Sequence, residues 1–214
     1  MSNLFEVDPS RADDAESAIA KATAELLAGH QIVLPTETVY GIACRPDDPT
    51  VTSRLFQAKR RPTGLNLPIL APSAEAAWSI GAKTEAAEKL AAEFWPGPLT
   101  LVLRRTPHSQ TWSLGDEPDT VAVRVPSYPL ALSLLERTGP IAATSANISG
   151  QPPLSTAEDL VAAFGDAVAV YLVLPSGVAP SGGQASTVVD LTGARARVLR
   201  EGPIESGVIK AVFE

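Results

Sequence analysis

Short apolar runs of strand character alternate with helix-like segments along this 214-residue chain, and few fold classes accommodate such an order. The predicted strands are residues 31–34, 67–71, 99–103, 121–125, 141–143, 168–174, 187–191 and 197–200. The predicted helices are residues 11–28, 51–60, 74–80, 85–94, 128–137, 156–165 and 205–212. No internal repeat or break in composition interrupts the alternation. We therefore predict a single α/β domain over residues 1–214, with a twisted, mixed β-sheet and flanking helices.

The chain carries no sequence signal for a membrane or an exported protein. No stretch of about 18 apolar residues occurs, and the first residues lack the basic start and apolar run of a signal peptide. Cys44 is the only cysteine, so no intrachain disulfide can form, and we predict a small core residue at that position. These features together favour a cytoplasmic protein without a membrane partner.

The charge balance limits the kinds of partner that the chain can hold. Its net charge is −7, from 17 basic and 24 acidic residues, which argues against a broad basic face that clamps a nucleic-acid backbone. A small basic pocket remains compatible with this balance. One cysteine and two distant histidines, His30 and His108, do not make a zinc site, so no metal bound by the protein itself is predicted.

Polar clusters stand directly after two predicted strand or helix ends, where open α/β sheets usually bind ligands. Residues 35–41 place two threonines, Glu37 and Tyr40 in one short segment. These are more polar, hydrogen-bonding side chains than a connecting segment usually contains, although an ordinary turn remains an alternative. Residues 59–61, Lys-Arg-Arg, end a predicted helix. Both the helix dipole and anion binding explain cations there equally well.

The strongest single signal for ligand binding is Arg124. Strand alternation places it on the face opposite Val123 and Val125, and an arginine in an otherwise apolar strand costs free energy unless it meets an anion. Residues 144–150 concentrate hydroxyl and amide groups, as phosphate-binding loops and common serine–asparagine turns both do. Neither a G-x-x-x-x-G-K-[ST] loop nor a G-x-G-x-x-G turn occurs. Any nucleotide site must therefore be built from scattered cations and hydroxyls.

Seven segments, in this order, resemble the YrdC-type family of threonylcarbamoyladenylate synthases over roughly residues 15–205. They are PTETVYG (35–41), KRRP (59–62), FWPGPLTLVL (94–103), TVAVRVPSYPL (120–130), ATSANISG (143–150), STVVDL (186–191) and VLREG (198–202). Any one of them could arise by chance, but seven in order could not. The resemblance implies a YrdC-like fold, a twisted α/β sheet around a concave, positively charged cavity.

The resemblance also implies a reaction. Members of the family combine ATP, L-threonine and bicarbonate into threonylcarbamoyl-AMP and release pyrophosphate, with magnesium as the counter-ion of ATP. A tRNA-modifying transferase with accessory subunits then passes the threonylcarbamoyl group to an adenosine of certain tRNAs. A carbamate oxygen attacks the α-phosphate, so positioning and charge stabilisation suffice and no protein nucleophile is required. A weak contact with tRNA itself is left open.

Matching the motifs residue by residue assigns the site. On the ATP side the resemblance implies Lys59, Arg61, Thr120, Ser145, Asn147 and Arg200. On the threonine side it implies Thr36, Arg124, Ala143 and Ser186. Lys59 and Arg61 would also act in catalysis by offsetting charge on the triphosphate, and Arg124 would pair with the threonine carboxylate in a bidentate fork. Glu37 and Asp190 are interpreted as structural, and no carboxylate is assigned to magnesium.

The chain departs from the family pattern in residues 64–70, which lack the usual histidine, and at Ala185, where glutamate is usual. It resembles the short form of the family, without a second domain. Two alternatives remain: an RNA-binding or ribosome-associated factor, and a carbamoyltransferase that forms carbamoyl-adenylate. The acidic net charge counts against the first, and the threonine-side set of Thr36, Arg124 and Ser186 favours the synthase over the second.

Overall fold

The computed structural model describes residues 3–8, 12–178, 180 and 182–213, with the side chains of 12–14 excepted. The strands are β1 (Asn3–Glu6), β2 (Ile32–Leu34), β3 (Gly41–Cys44), β4 (Ile69–Leu70), β5 (Leu99–Arg104), β6 (Thr120–Arg124), β7 (Ile141–Ser145), β8 (Val170–Val173), β9 (Thr187–Asp190) and β10 (Arg197–Arg200). The helices are α1 (Ala12–Leu27), α2 (Pro49–Lys59), α3 (Ala74–Ile80), α4 (Glu85–Phe94), α5 (Pro107–Gln110), α6 (Pro129–Thr138), α7 (Ala157–Phe164) and α8 (Ser206–Ala211).

All ten strands belong to one sheet, in the order β1-β8-β2-β3-β7-β4-β6-β5-β9-β10. Four neighbouring pairs are parallel: β1 with β8, β2 with β8, β4 with β6, and β5 with β9. The remaining pairs are antiparallel. The predicted α/β class with a mixed sheet is thus confirmed.

Helices cover both faces of the sheet, which explains why its strands read as continuous apolar runs. Along β2, Val33 packs into one apolar cluster while Ile32 and Leu34 pack into another, formed with α1 and α6. A third cluster joins α4 and α8 to β5 and β9. No helix among the residues that the structure describes is long and apolar enough to cross a membrane.

Residues typical of helix ends bound α2. Asp48 accepts hydrogen bonds from the N–H groups of Thr50 and Val51 at the start of α2, and Pro49 occupies the first turn. Arg60 ends the same helix with a left-handed backbone, φ 50°. The turn at Arg60 brings Arg61 to the cavity described below.

Three elements of the structure, β1, β3 and α5, are absent from the predicted strands and helices. β3 begins directly after the polar segment 35–41 and pairs antiparallel with β2, so this segment is a strand-to-strand connection. The prediction for Cys44, at the end of β3, is confirmed because its side chain is fully buried. Burial raises the pKa of its thiol to about 12, which makes it an inert core group.

Candidate active site

A cavity of about 240 Å³ lies where the β2–β3 connection faces β5, β6, β7 and the start of β9. It is lined by Thr36, Thr38, Val39, Tyr40, Gly41, Arg61, Pro68, Leu70, Thr100, Ala122, Arg124, Ala143, Thr144, Ser145, Ala185, Ser186, Val188 and Arg200. Among the described lining residues three are arginines and none is acidic. The lining therefore suits an anionic ligand.

Arg124 lies at the centre of this wall and is only 6% exposed. Alternation along β6 works as the sequence predicts: Val121 and Val123 enter the core, while Ala122 and Arg124 line the cavity. The guanidinium donates from Nε to the Gly97 carbonyl oxygen at 3.1 Å, and its Nη2 lies 2.7 Å from Glu37 Oε1. Glu37 thus supplies the anion that a buried arginine needs, in line with its structural interpretation.

The hydrogen bonds from Arg124 continue as a directed chain into the 35–41 segment. Arg124 Nη1 donates to Thr38 Oγ1 at 2.9 Å, and the Thr36 hydroxyl donates to the Val39 carbonyl oxygen at 2.6 Å. Because Thr36 has used its one hydroxyl hydrogen, Thr38 must be the donor in the 2.9 Å bond between the two threonine hydroxyls. Thr36 Oγ1 also accepts from the N–H groups of Thr38 and Val39 at 3.3 and 3.2 Å, so the hydrogen-bonding capacity of this hydroxyl is used within its own segment.

Arg200 approaches the same wall from β10. Its Nε and Nη2 donate to the Ser186 carbonyl oxygen at 3.0 and 2.8 Å, and Nη2 also donates to Ser186 Oγ at 3.2 Å. Gly202 allows this approach, since a Cβ there would collide with the backbone of Ala185 and Ser186. Burial, with a smaller contribution from Arg124, lowers the pKa of Arg200, which still remains charged at neutral pH.

Lys59 lies behind the wall rather than on it. Its ammonium, at the end of α2, is 1% exposed and donates to the carbonyl oxygens of Ser145 and Asn147 and to Asn147 Oδ1. These acceptors take all three of its hydrogens. Burial, and to a lesser degree Arg61, lowers the pKa of Lys59 to about 7. Its immediate role here is to hold the loop after β7.

Asn147 is locked in the same loop. Its Nδ2 donates to the carbonyl oxygens of Ile148 and Gln151 at 2.9 and 2.7 Å, and its Oδ1 also accepts from the Ser145 hydroxyl at 2.6 Å. Ser145 lines the cavity, whereas Asn147 and Lys59 are not among its lining residues. Both of these residues therefore shape the loop that presents Ser145.

Of the other two residues predicted for the ATP side, Arg61 lines the cavity and Thr120 does not. Arg61 lines the cavity and donates from Nε to the Leu65 carbonyl oxygen and from Nη2 to that of Asn66, at 2.8 and 2.9 Å. Thr120 begins β6 on the same face as Arg124, but it is not among the lining residues. The side chain of Asn66 links this region to the Thr120 carbonyl oxygen at 3.3 Å.

The segment before β9 lies against the 35–41 connection. A Cβ on Gly182 would come within 2.7 Å of the Glu37 carbonyl oxygen and 3.1 Å of Thr38 Cα, so only glycine permits this approach. The contact brings the described part of the 176–186 loop to the main chain of Glu37, the residue whose carboxylate pairs with Arg124.

Seven of the ten predicted site residues line one cavity, although they come from distant parts of the chain. They are Thr36, Arg61, Arg124, Ala143, Ser145, Ser186 and Arg200. The structure adds lining residues that the sequence analysis did not single out, chiefly Thr38 and Thr100. Thr100 carried the same signal as Arg124, a polar residue inside an apolar strand, and Thr38 lies within the quoted 35–41 segment.

A second cavity, of about 700 Å³, lies between α4, the β9–β10 hairpin and α8 and contains none of the predicted site residues. It is lined by Arg195, Arg197 and Lys210 together with mostly apolar side chains. In the described ranges no group of three or more histidine, cysteine, aspartate or glutamate side chains is placed to hold a metal ion.

Comparison with known proteins decides the family. A model of the Sua5, YciO and YrdC family, described as telomere recombination, matches residues 24–202. The chain belongs to the Sua5/YciO/YrdC family. Each of the seven cavity-lining site residues lies within the matched range, so the family match and the cavity concern the same part of the molecule.

Named relatives in this family are similar over most of the chain. A Mycobacterium tuberculosis protein is 41% identical over 201 residues, which are 91% of this chain and 88% of the relative. A Klebsiella pneumoniae protein named threonylcarbamoyl-AMP synthase is 38% identical over 157 residues, 72% of this chain and 82% of the relative.

A solved structure agrees with the fold. The crystal structure of Pyrococcus abyssi Sua5 complexed with L-threonine superposes with a TM-score of 0.84 at 33% identity, and the match covers 99% of this chain. This chain covers 60% of the length of that Sua5 chain. The similarity therefore concerns one part of the longer protein.

Proposed function

We propose that this Sua5/YciO/YrdC protein synthesises L-threonylcarbamoyl-AMP from ATP, L-threonine and bicarbonate and releases pyrophosphate. The observation that carries the proposal is the convergence of Arg61, Arg124 and Arg200 with serine and threonine hydroxyls around one cavity. Support comes from the Klebsiella pneumoniae relative named for this activity and from the Sua5 structure that contains L-threonine.

The chemistry requires placement more than it requires a reactive side chain. The amine of threonine and bicarbonate form a carbamate with loss of water. A carbamate oxygen then bonds to the α-phosphorus of ATP while the bond from that phosphorus to the bridging oxygen breaks, and pyrophosphate leaves. Cations fixed in advance stabilise the charge that develops on the departing oxygen without reorganising. The arginines of the cavity are held in this way by their hydrogen bonds.

Threonine would lie on the side of Thr36, Arg124, Ala143 and Ser186. Two of the five N–H hydrogens of Arg124 donate to Gly97 and Thr38, whereas Nη2 lies 2.7 Å from Glu37 Oε1 without forming a hydrogen bond, so hydrogens remain for a substrate carboxylate. These internal contacts would hold the guanidinium plane in one orientation, which favours a bidentate pair. The Thr36 hydroxyl is engaged within its own segment, so it would shape this side of the pocket and would bind the substrate only in exchange for one of those internal hydrogen bonds.

ATP would lie towards Arg61, Thr120, Ser145 and Arg200. Arg61 and Arg200 each have a terminal nitrogen, Nη1, without a hydrogen-bond partner among the described residues, and phosphate oxygens are the natural acceptors. Lys59 and Asn147 would serve this side by holding Ser145 in place. Direct contact of Lys59 with the triphosphate would need the ammonium to exchange a carbonyl partner for a phosphate oxygen.

Magnesium would enter as the counter-ion of ATP. The described lining of the cavity offers hydroxyl and main-chain oxygens but no carboxylate, so the fit is to a metal held mainly by the substrate phosphates. The product would pass to a tRNA-modifying transferase with its accessory subunits, and the cytoplasm is the compartment that fits such a pathway.

Pyrophosphate release by the purified protein tests the proposal. We expect release from ATP only when threonine and bicarbonate are both present, and a product whose mass equals that of threonylcarbamoyl-AMP. Release that does not depend on threonine would contradict the proposal. Release that requires carbamoyl phosphate instead would favour the carbamoyltransferase alternative, and tRNA binding without any release would favour the RNA-binding one.

A further inference from the structure

The hydroxyl groups of Thr100 and Ser186 meet on the inner wall of the cavity. Both side chains are at most 5% exposed, and their Oγ atoms lie 2.7 Å apart. The parallel pairing of β5 with β9 brings them together, because Leu99 lies opposite Thr187 and Ser186 directly precedes β9. The pair is therefore fixed by the sheet and not by a mobile side chain.

A count of hydrogens shows that this pair has one donor to spare. The two hydroxyls carry two hydrogens, and the bond between them uses one. Arg200 Nη2 donates to Ser186 Oγ, so it supplies a hydrogen and accepts none. Neither hydroxyl donates to any other described residue. Whichever of the two is the donor in the shared bond, one O–H group remains for a ligand that enters the cavity.

Small apolar groups surround this spare donor. Thr100 lies opposite Val188 in the β5–β9 pairing, and Ala122 lines the same cavity from β6. The methyl groups of Thr100, Val188 and Ala122 thus border a hydroxyl donor. A ligand group that matches this surface has a small apolar end and an adjacent oxygen that can accept a hydrogen bond, as a secondary alcohol with one methyl group does.

We propose that Thr100, together with Ser186, is the specificity-determining residue that recognises the β-hydroxyl group of the amino-acid substrate. The inference rests on the proposed use of threonine, whose side chain carries one hydroxyl and one methyl group. A buried donor left without its acceptor loses free energy, so the site selects against an amino acid that lacks the hydroxyl. No other residue is needed to reject the analogue.

The test compares L-threonine with L-2-aminobutyrate, which has the same carbon skeleton but no hydroxyl. Binding of each amino acid is measured by calorimetry, and kcat/KM for pyrophosphate release is measured in parallel. We expect the wild-type protein to prefer threonine about tenfold to a hundredfold. Thr100→Val keeps the shape but removes the hydroxyl, and should lose most of that preference through a higher KM for threonine, with little change for 2-aminobutyrate.

Two further variants distinguish loss of hydroxyl recognition from a general disturbance of the fold. Thr100→Ser keeps the hydroxyl and should keep the preference. Thr23→Val is the matched control, because the Thr23 hydroxyl is buried in α1 without a hydrogen-bond partner, and it should change neither amino acid's binding. Thermal unfolding of each variant shows whether the fold is retained.

Three outcomes would overturn the proposal: equal binding of the two amino acids by the wild-type protein, an unchanged preference in Thr100→Val, or a parallel loss for both ligands. A parallel loss would indicate that the remaining O–H group donates to the carboxylate of the amino acid and not to its β-hydroxyl group. The proposed function fails separately, if threonine binds with the expected preference but no threonine-dependent pyrophosphate is released.

Discussion

The cations on two sides of the cavity have different hydrogen-bond and ion-pair partners. The strand wall, formed by Thr100, Arg124, Ser186 and Arg200, contains a carboxylate partner, because Glu37 pairs with Arg124 at 2.7 Å. The loop wall consists of Arg61 and Ser145, with Lys59 and Asn147 behind it, and no described carboxylate is hydrogen-bonded to either of its cations. Lys59 and Arg61 bind only carbonyl oxygens.

This difference has an electrostatic consequence. Glu37 cancels the charge of Arg124, so the strand wall keeps a net charge of about +1 from Arg200. Carbonyl oxygens satisfy the hydrogen bonds of Lys59 and Arg61 without cancelling their charge, and burial, with a smaller contribution from Arg61, lowers the pKa of Lys59. Arg61 and Arg200 thus suit a highly charged triphosphate, whereas Arg124, which is already paired with Glu37, suits a single carboxylate.

Replacing Arg124 by alanine should have the largest effect, because it breaks the strand wall at its centre. The change removes the side chain that would bind the threonine carboxylate, and it also removes the cation that contacts Glu37 and Thr38. We expect kcat/KM for threonine to fall more than about 100-fold, while the KM for ATP stays within about threefold. Threonine and ATP titrations of pyrophosphate release measure both values.

Arg137→Ala is the control for Arg124. Arg137 lies at the surface and pairs with the exposed Glu16, an arrangement that contributes little. Its kinetics should match the wild type. A similar loss of ATP and threonine affinity in Arg124→Ala, with the fold intact by thermal unfolding, would mean that the two walls are not specialised.

Lys59→Met should have the second-largest effect, through the loop wall. The Ser145 and Asn147 carbonyl oxygens lose their shared donor, and we expect a destabilisation of about 3 kcal/mol and a roughly tenfold fall in turnover. The native pKa of Lys59 is about 7, against an ordinary 10.5, so between these values the unfolded chain binds a proton that the native protein does not. The stability of the wild type therefore rises with pH in that window, by at most about 1.4 kcal/mol per pH unit.

Urea unfolding between pH 7 and 9 checks this sign. The advantage of the wild type over Lys59→Met should widen as the pH rises, since methionine has no proton to exchange. Cys44, whose pKa burial raises to about 12, is present in both proteins and drops out of the difference. Parallel stability curves would show that the Lys59 ammonium stays charged throughout.

The two walls also differ in how well they could be predicted from the sequence. The strand wall was predictable because strand alternation alone puts Arg124 on the ligand-facing side, and the same argument applied to Thr100 would have found it. Most helices and strands followed from local periodicity, and Ser73 and Thr84 cap α3 and α4 with their side chains. β1 (NLFE) and β3 (GIAC) did not follow from it, because each contains few residues of high strand propensity, and pairing with neighbouring strands decides their conformation.

The loop wall was less predictable for a physical reason. The run Lys59-Arg60-Arg61 shows three equal charges in the sequence, but their partners depend on where β7 ends, 86 residues later. The left-handed backbone at Arg60 sends the three side chains in different directions. One is buried under the β7 loop, one lines the cavity and one is exposed to solvent.

Because these side chains point in different directions, comparing Arg61→Gln with Arg60→Gln tests whether the loop wall contacts ATP directly, and it is the test with the smallest expected effect. Both changes remove one positive charge from the end of α2, so any long-range electrostatic effect is the same. Only Arg61 lines the cavity, where its free terminal nitrogen can meet a phosphate oxygen. We expect Arg61→Gln to raise the KM for ATP about tenfold, with less than about twofold for Arg60→Gln and little effect on threonine in either. If both variants weaken ATP binding equally, and added salt removes the effect, the loop wall acts only by attracting ATP from a distance.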